Sequence, residues 1–276
     1  MELRSVKVRT ILGTVLKLLT AFIFLFPFLW MLSVSLQTSK EITTIPLTLF
    51  PHVPQWKNYV EAFHSGPFLL YLRNSILVIF GVVIIQILVM VPAAYAFARY
   101  EFPGKHFFFG LVMIAFMTPS QLTFYPIYHM MSGAGLMNTL WPQILPFMTN
   151  AFGIFLLRQY FMQIPDELLE SARLDNAGPL KIIAKLMLPM SKPALTSIVL
   201  FSFVGHWNDY FWPLIITSST EVRPVTIGVA MLKNTEGAAS WHLIMAGNVM
   251  LVLPILILYL FFSKYIVSSF TYSGIK

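Results

Sequence analysis

The segment His206–Ile215, HWNDYFWPLI, gathers groups that can hold a polyhydroxylated molecule. Trp207, Tyr210 and Trp212 offer aromatic faces, and Asn208 and Asp209 offer hydrogen bonds. Sugar rings use both kinds of contact. Asp209 is the single carboxylate inside an apolar run of this chain. A charge at membrane depth costs several kcal/mol, so Asp209 must face a bundle interior, water or a partner. Two roles fit it: a solute-facing or gating group, or a structural aspartate that caps a neighbouring helix within an interfacial aromatic belt. Gln86, Gln121 and Asn150 are further polar residues in apolar runs, suited to helix–helix hydrogen bonds. Gln121 joins Trp207, Asn208, Asp209 and Tyr210 as a candidate for a solute path.

Other chemistries lack their residues. The phosphate-cradling pattern G-x-x-x-x-G-K-[ST] is missing, so the chain carries no nucleotide loop of its own. Six histidines are scattered without metal-ligand spacing. Cysteine is absent, which removes disulfide and thiolate chemistry. We find no nucleophile–base pair. The expectation is a non-enzymatic chain that binds no cofactor.

The elements that position these residues are set by the solvent. Of 276 residues, 57% are hydrophobic and 11% charged, whereas a soluble domain carries about 25% charged residues. Apolar runs of about 20 residues match a hydrocarbon core roughly 30 Å thick. Lipid offers the backbone no partners, so such runs cross as helices. The alternation of a β-barrel is absent. Six spans are expected: 11–36, 71–98, 106–131, 141–157, 194–216 and 242–263. The third is interrupted at Thr118-Pro119-Ser120-Gln121. Residues 1–10 form a tail, 37–70 an external segment, 71–263 a core of five helices, and 264–276 a second tail. The basic start followed by a long apolar run reads as an uncleaved first span.

Thirteen Lys and Arg fall on one side of this layout and five on the other, which puts both termini and the 159–192 loop in the cytoplasm. The formal charge of +7 sits at span ends, not on one stripe, which argues against nucleic acid and leaves membrane lipid as the surrounding partner. Pro92, Pro119, Pro146, Gly247 and Pro254 fall within spans; they are kinks or the lining of a path. No internal repeat stands out.

Glu170–Pro189, ESARLDNAGPLKIIAKLMLP, is polar and lies between apolar runs. Asp166 opens a helix favourably for its dipole. Asn176-Ala177-Gly178 stops it, with Gly178 suited to a left-handed cap. Pro179 begins a second, amphipathic helix, and Pro189 and Pro193 turn the chain back. Lipid cannot solvate it and no core in the chain could bury it, so the loop should face water. It is either a hairpin resting on headgroups or a docking element.

This stretch resembles the EAA loop of ABC-importer permeases, E-A-A, three residues, G, nine residues, I-x-L-P. Glu170, Ala172, Leu188 and Pro189 match. Ser171 replaces the second Ala, Asn176 the Gly and Leu186 the Ile, and Asp175, Ala177 and Gly178 complete a DNAG similar to the usual DGAG. Asn tolerates positive φ, so the turn should survive. HWNDYFWPLI resembles that family's fifth-span signature, and the similarity runs over nearly the whole chain. It is greatest to the smaller permease of maltose-type carbohydrate systems. The resemblance implies a type I ABC importer fold and a second homologous permease. It also implies two copies of a cytoplasmic ATPase that holds ATP and Mg, an extracytoplasmic solute-binding protein and a carbohydrate substrate. Glu170 would contact a basic residue of the ATPase. A permease for a non-sugar solute such as glycerol phosphate, and a stand-alone ion-coupled transporter, are the competing readings. The latter would need midplane ionisable groups or unwound helices with a repeat.

Overall fold

The computed structural model describes the backbone of residues 2–232 and 240–271 and the side chains of 12–232 and 240–263. All regular structure among the described residues is helical. The chain forms two compact units, Met1–Phe68 with Gly228–Pro254, and Leu69–Ile227 with Ile255–Lys276.

In the first unit, α1 (Glu2–Ser35) is a long apolar helix, and its side chains from Leu12 to Leu32 are almost all exposed. Burial begins abruptly at Ser33, where the following segment folds back on the helix end. That segment holds α2 (Ser39–Thr43) and α3 (Lys57–His64). Polar side chains make the join. Buried Asn58 donates to the carbonyls of Ser35 at 2.9 Å and Gln37 at 2.8 Å. Gln37 donates to the Thr48 carbonyl at 3.0 Å, and the Ser33 hydroxyl to the Leu49 carbonyl. Ser35 and Tyr59 share a hydroxyl hydrogen bond of 2.7 Å. The Asn58 contact satisfies the Ser35 carbonyl that the end of α1 leaves open, and the others tie the following loop to that end. A capping box starts α2: the Thr38 hydroxyl accepts from the Glu41 N–H, and the Glu41 carboxylate accepts from the Thr38 N–H at 2.7 Å. The other carboxylate oxygen accepts the His52 N–H at 3.0 Å.

The second unit is built on α4 (Phe68–Arg99), α5 (Lys105–Met117), α6 (Ser120–Gly133) and α7 (Ala151–Met162). It continues through α8 (Asp166–Leu174), α9 (Pro179–Ile182), a wider turn at Ile183–Met187, and α10 (Leu188–Met190). Then come α11 (Lys192–Trp207), α12 (Phe211–Ile216) and the start of α13 (Val225–Met231). Its core joins Met90, Ala94 and Tyr95 of α4 to Leu157 and Phe161 of α7, and to Ala194 and Ile198 of α11. Gly153 lets these helices approach. A Cβ there would sit 2.7 Å from the Met90 sulfur and 3.2 Å from Ile198. The final helix, α14 (Trp241–Thr271), passes through Pro254 unbroken.

Three helices are long and apolar enough to cross a membrane among the described residues: Leu12–Ser35, Phe68–Arg99 and Trp241–Ser263. They coincide with the first, second and sixth expected spans. The third is a pair, α5 and α6, bent by 100°. Thr118 and Pro119 are extended there, since the residue before proline avoids the helical region and proline removes a donor. The expected fourth span is not one helix. Pro142 and Pro146 fall in two tight turns, Trp141–Gln143 and Leu145–Phe147, and α7 starts only after Asn150, whose side chain accepts the Gly153 N–H at 2.8 Å. The fifth is likewise broken at Asn208–Tyr210, between α11 and α12.

Arg99 closes the end of α4. Its guanidinium meets Asp166 at 2.6 Å and donates to the carbonyls of Phe161 and Ile164. Lysine cannot make this fork. Arg99→Ala should cost about 1–3 kcal/mol, since it strands acceptors served by a charged donor. Arg99→Lys should recover only part of that in thermal unfolding of the purified protein. The hydrogen bonds from the Thr38 and His52 N–H groups hold the Glu41 carboxyl below the usual carboxylate range. That stabilisation is complete above the range and is lost as pH falls through the lowered value. Hydrogen-exchange protection across residues 38–55, taken relative to the intrinsic rate at each pH, should therefore fall on acidification, and Glu41→Gln should flatten that dependence.

Candidate functional site

Two places carry the sequence candidates: the hairpin from Asp166 to Met190 and a cleft among α4, α6, α7 and α11.

In the hairpin, Asp166 and Glu167 occupy the first turn of α8 and Pro165 precedes it. Helix α8 ends in a Schellman arrangement. The Ala177 N–H reaches the Ala172 carbonyl at 3.0 Å and the Asn176 N–H reaches Arg173 at 2.9 Å. The residue with positive φ is Asn176, at 54°. Gly178 is extended, at φ −68°, so the left-handed cap expected at Gly178 lies two residues earlier. Asn suits the position because its short side chain tolerates the left-handed region. Pro179 then opens α9 as expected.

The expectation that no core could bury this loop is wrong for one face. Leu169, Ile182, Ile183 and Met187 belong to the core of the second unit, and Ala172, Ala177, Leu186 and Leu188 pack against it. Their spacing on two short amphipathic helices was the available signal. Glu170, Ser171, Asp175, Asn176, Gly178 and Pro189 are exposed. Leu174 and Leu180, which the motif did not single out, are 84% and 79% exposed. The chain bends by 84° between Pro179–Met190 and α11, at buried Ser191.

The cleft has a volume of ≈ 320 Å³. Gln86, near the middle of α4, donates to the Phe147 carbonyl at 2.9 Å and accepts from the Ser202 hydroxyl at 2.8 Å. Its expected helix–helix role is therefore met. Ser120, Asn150, His206 and Asp209 add polar groups, and Phe124, Phe147 and Phe201 add aromatic walls. The His206 ring stands edge-on to Phe147 at 4.8 Å. Of the five sequence candidates for a path, the structure brings only Asp209 to this cleft. Its carboxylate accepts the Trp212 N–H at 3.4 Å at the start of α12, and its carbonyl accepts the Thr226 hydroxyl at 2.7 Å. It is a capping residue as well as a lining one.

Trp207 is buried and stacks on Phe203 at 5.6 Å, while Asn208, Tyr210 and Gln121 are exposed outside the cleft lining. The break at Asn208–Tyr210 leaves Asn208 and Tyr210 outside the cleft lining and Asp209 within it. Trp212 is buried, with its indole donating to the Pro142 carbonyl at 2.8 Å. Asn150 caps α7 and makes no bond between helices of its own side chain in that role. Phe124, Ser202 and His206 were missed because nothing in sequence marks which face of a helix meets a void. Among the described residues no group of His, Asp or Glu could hold a metal ion.

A polar cleft at the N-terminal end of α7 and a projecting hairpin beyond its C-terminal end are an arrangement to compare with known proteins. Residues 90–272 match the family described as binding-protein-dependent transport system inner membrane component. The chain belongs to this family. It is 32% identical over 259 residues to the arabinooligosaccharides transport system permease protein AraQ of Halalkalibacterium halodurans, covering 93% of this chain and 92% of that one. It is also 32% identical over 235 residues to the sn-glycerol-3-phosphate transport system permease protein UgpE of Yersinia pestis, covering 83% and 84%. A crystal structure of a bacterial ABC transporter involved in the import of the acidic polysaccharide alginate superposes with a TM-score of 0.83 at 26% identity, covering 95% of this chain and 98% of that chain. The fold is that of a type I ABC permease. The chain is a multi-pass inner-membrane component and a transport subunit.

The Asn176 turn gives a direct test. Asn176→Gly should leave the hairpin intact. Asn176→Val should weaken it by about 1–2 kcal/mol, the cost of a left-handed conformation for a bulky residue. Limited proteolysis across residues 166–190 reads the difference.

Proposed function

We propose that this chain forms half of the membrane pathway of an ATP-driven carbohydrate importer and couples to a cytoplasmic ATPase through the Asp166–Met190 hairpin. The observation that carries the reading is the two-sided hairpin itself. One face belongs to the membrane-domain core, while Glu170, Leu174 and Leu180 project from the other. Exposed leucines beside a carboxylate suit a cleft on a partner that has an apolar floor and a basic rim.

The rest of the layout follows from that docking. The chain crosses six times, the bent α5–α6 pair and the broken fourth and fifth segments each serving as one crossing. Both termini and the 159–192 loop face the cytoplasm, in accord with the Lys and Arg distribution. The pathway is completed by a second, homologous permease. Two ATPase subunits hold ATP and Mg, and an external binding protein delivers the solute. Residues 1–10 and 264–276 are tails, and 37–70 lies outside.

Carbohydrate is favoured over a phosphate ester by the lining of the cleft. It has one carboxylate, Asp209, and contains neither Lys nor Arg. Charge-assisted contacts to phosphate use such cations. Hydroxyl, amide and aromatic groups around it suit a neutral sugar. The likeness to a glycerol-3-phosphate permease keeps the phosphate ester as the second reading.

Glu170→Lys should insert normally and abolish uptake, because a reversed charge at the dock meets its like on the partner. Affinity purification of the wild-type chain from its own membranes, with mass spectrometry, should bring a Walker-motif ATPase and a second permease. The variant should lose the ATPase selectively. Normal uptake by Glu170→Lys would overturn the coupling role, and an active chain purified alone would overturn the importer reading.

A further inference from the structure

The segment after α1 carries an apolar ridge that the transport reading does not use. Ile45, Leu47, Leu49, Phe50, Val53 and Trp56 are each at least 56% exposed, and Ile45 reaches 91%. Scattered exposed apolar residues are ordinary, but six within twelve positions form a patch that calls for an occupant. We infer that this ridge lies in the lipid headgroup layer, as an interfacial anchor at the C-terminal end of α1.

Three observations favour lipid as the occupant. First, the height of the ridge is fixed by polar contacts to the last turns of α1. The Leu49 carbonyl accepts from Ser33, and the Thr48 carbonyl accepts from Gln37 at 3.0 Å. Residues 48–50 are thereby held level with the point where α1 stops being apolar, and a membrane-crossing helix places that point at the interface. Second, the ridge continues an apolar surface. Phe28, Leu29 and Leu32, in the preceding turns of α1, are 50%, 52% and 43% exposed. Third, the polarity is layered as an interface requires. Beside the ridge, and sharing Val53 with it, is a cleft of ≈ 360 Å³ lined by Thr38, Lys40, Glu41, Thr44, Thr48, His52 and Gln55, in which Lys40 and His52 are the groups able to meet headgroup oxygens. Trp56, 68% exposed, is the residue type enriched at that depth. The hydrogen-bonded frame satisfies the Thr48 and Leu49 carbonyls and the His52 and Gln55 N–H groups, and the hydrated headgroup layer, unlike the hydrocarbon core, offers partners to the rest of this irregular segment.

The chain has no cysteine, so a spin label can be placed at will. Val53→Cys, Ile45→Cys and, as a polar reference, exposed Glu61→Cys of α3 are made in the full transporter and labelled with a nitroxide. The unsubstituted complex serves as blank. The complexes are reconstituted into vesicles of phosphatidylcholine and phosphatidylglycerol. Collision rates are then measured with oxygen, which concentrates in lipid, and with a neutral nickel chelate, which stays in water. The expected result is an oxygen-to-nickel ratio severalfold higher at positions 45 and 53 than at 61. A nickel-dominated ratio at 45 and 53 would place the ridge in water. Suppression of both collisions there would place it against a protein subunit. Either outcome overturns the anchor. Since the test reads depth and not transport, its result is independent of the solute and of the hairpin's role.

Discussion

A backbone that leaves its helix inside a membrane has no water to bond, and this constraint governs the chain more than any single contact. The breaks are where polar side chains collect. Asn150 supplies the missing acceptor at the start of α7, and Asp209 does so at the start of α12. Gln86 reaches across from α4 to a free carbonyl in the turns before α7. The same requirement explains why the cleft is polar at all. Three of its lining residues, Ser120, Asn150 and Asp209, stand at helix interruptions. Structural need and the lining of the cleft therefore fall on the same side chains.

The same logic operates at both ends of the molecule's helices, with different residues. At the end of α4 the partner is Arg99, whose fork serves a carboxylate and two carbonyls at once. At the end of α1 it is Asn58, bridging two carbonyls from a distant helix of the same unit. Each is a buried polar anchor that fixes a connecting segment relative to a span. Neither could be replaced by an apolar residue without leaving helix-terminal acceptors bare.

Much of this was legible in the amino-acid order. The long spans were, because about 20 apolar residues admit one reading. The hairpin was also legible, since Pro179 and Asn176-Ala177-Gly178 punctuate it. What failed to show was tertiary. The fourth segment, rich in apolar residues, is not one helix because Pro142 and Pro146 convert its first half into tight turns. The burial of Leu169 and Ile182 was signalled only by their spacing on two short amphipathic helices, and the sequence does not show which core they join. Asp209 was found as a chemical oddity, but its neighbours in sequence were mistaken for its neighbours in space. The break after Trp207 sends Asn208 and Tyr210 elsewhere and brings in Ser202 and His206 from the preceding turns.

The packing of Leu169, Ile182, Ile183 and Met187 with Met90, Leu157, Phe161 and Ile198 has a mechanical meaning. Close-packed interiors are stiff and transmit strain instead of absorbing it. A force applied to the projecting leucines therefore has no soft hinge in which to dissipate. It arrives at α4, α7 and α11 as a torque, with Arg99 and the bend at Ser191 as its bearings. The hairpin is cut from the same block as α4, α7 and α11, so a displacement of its exposed face is carried into those helices.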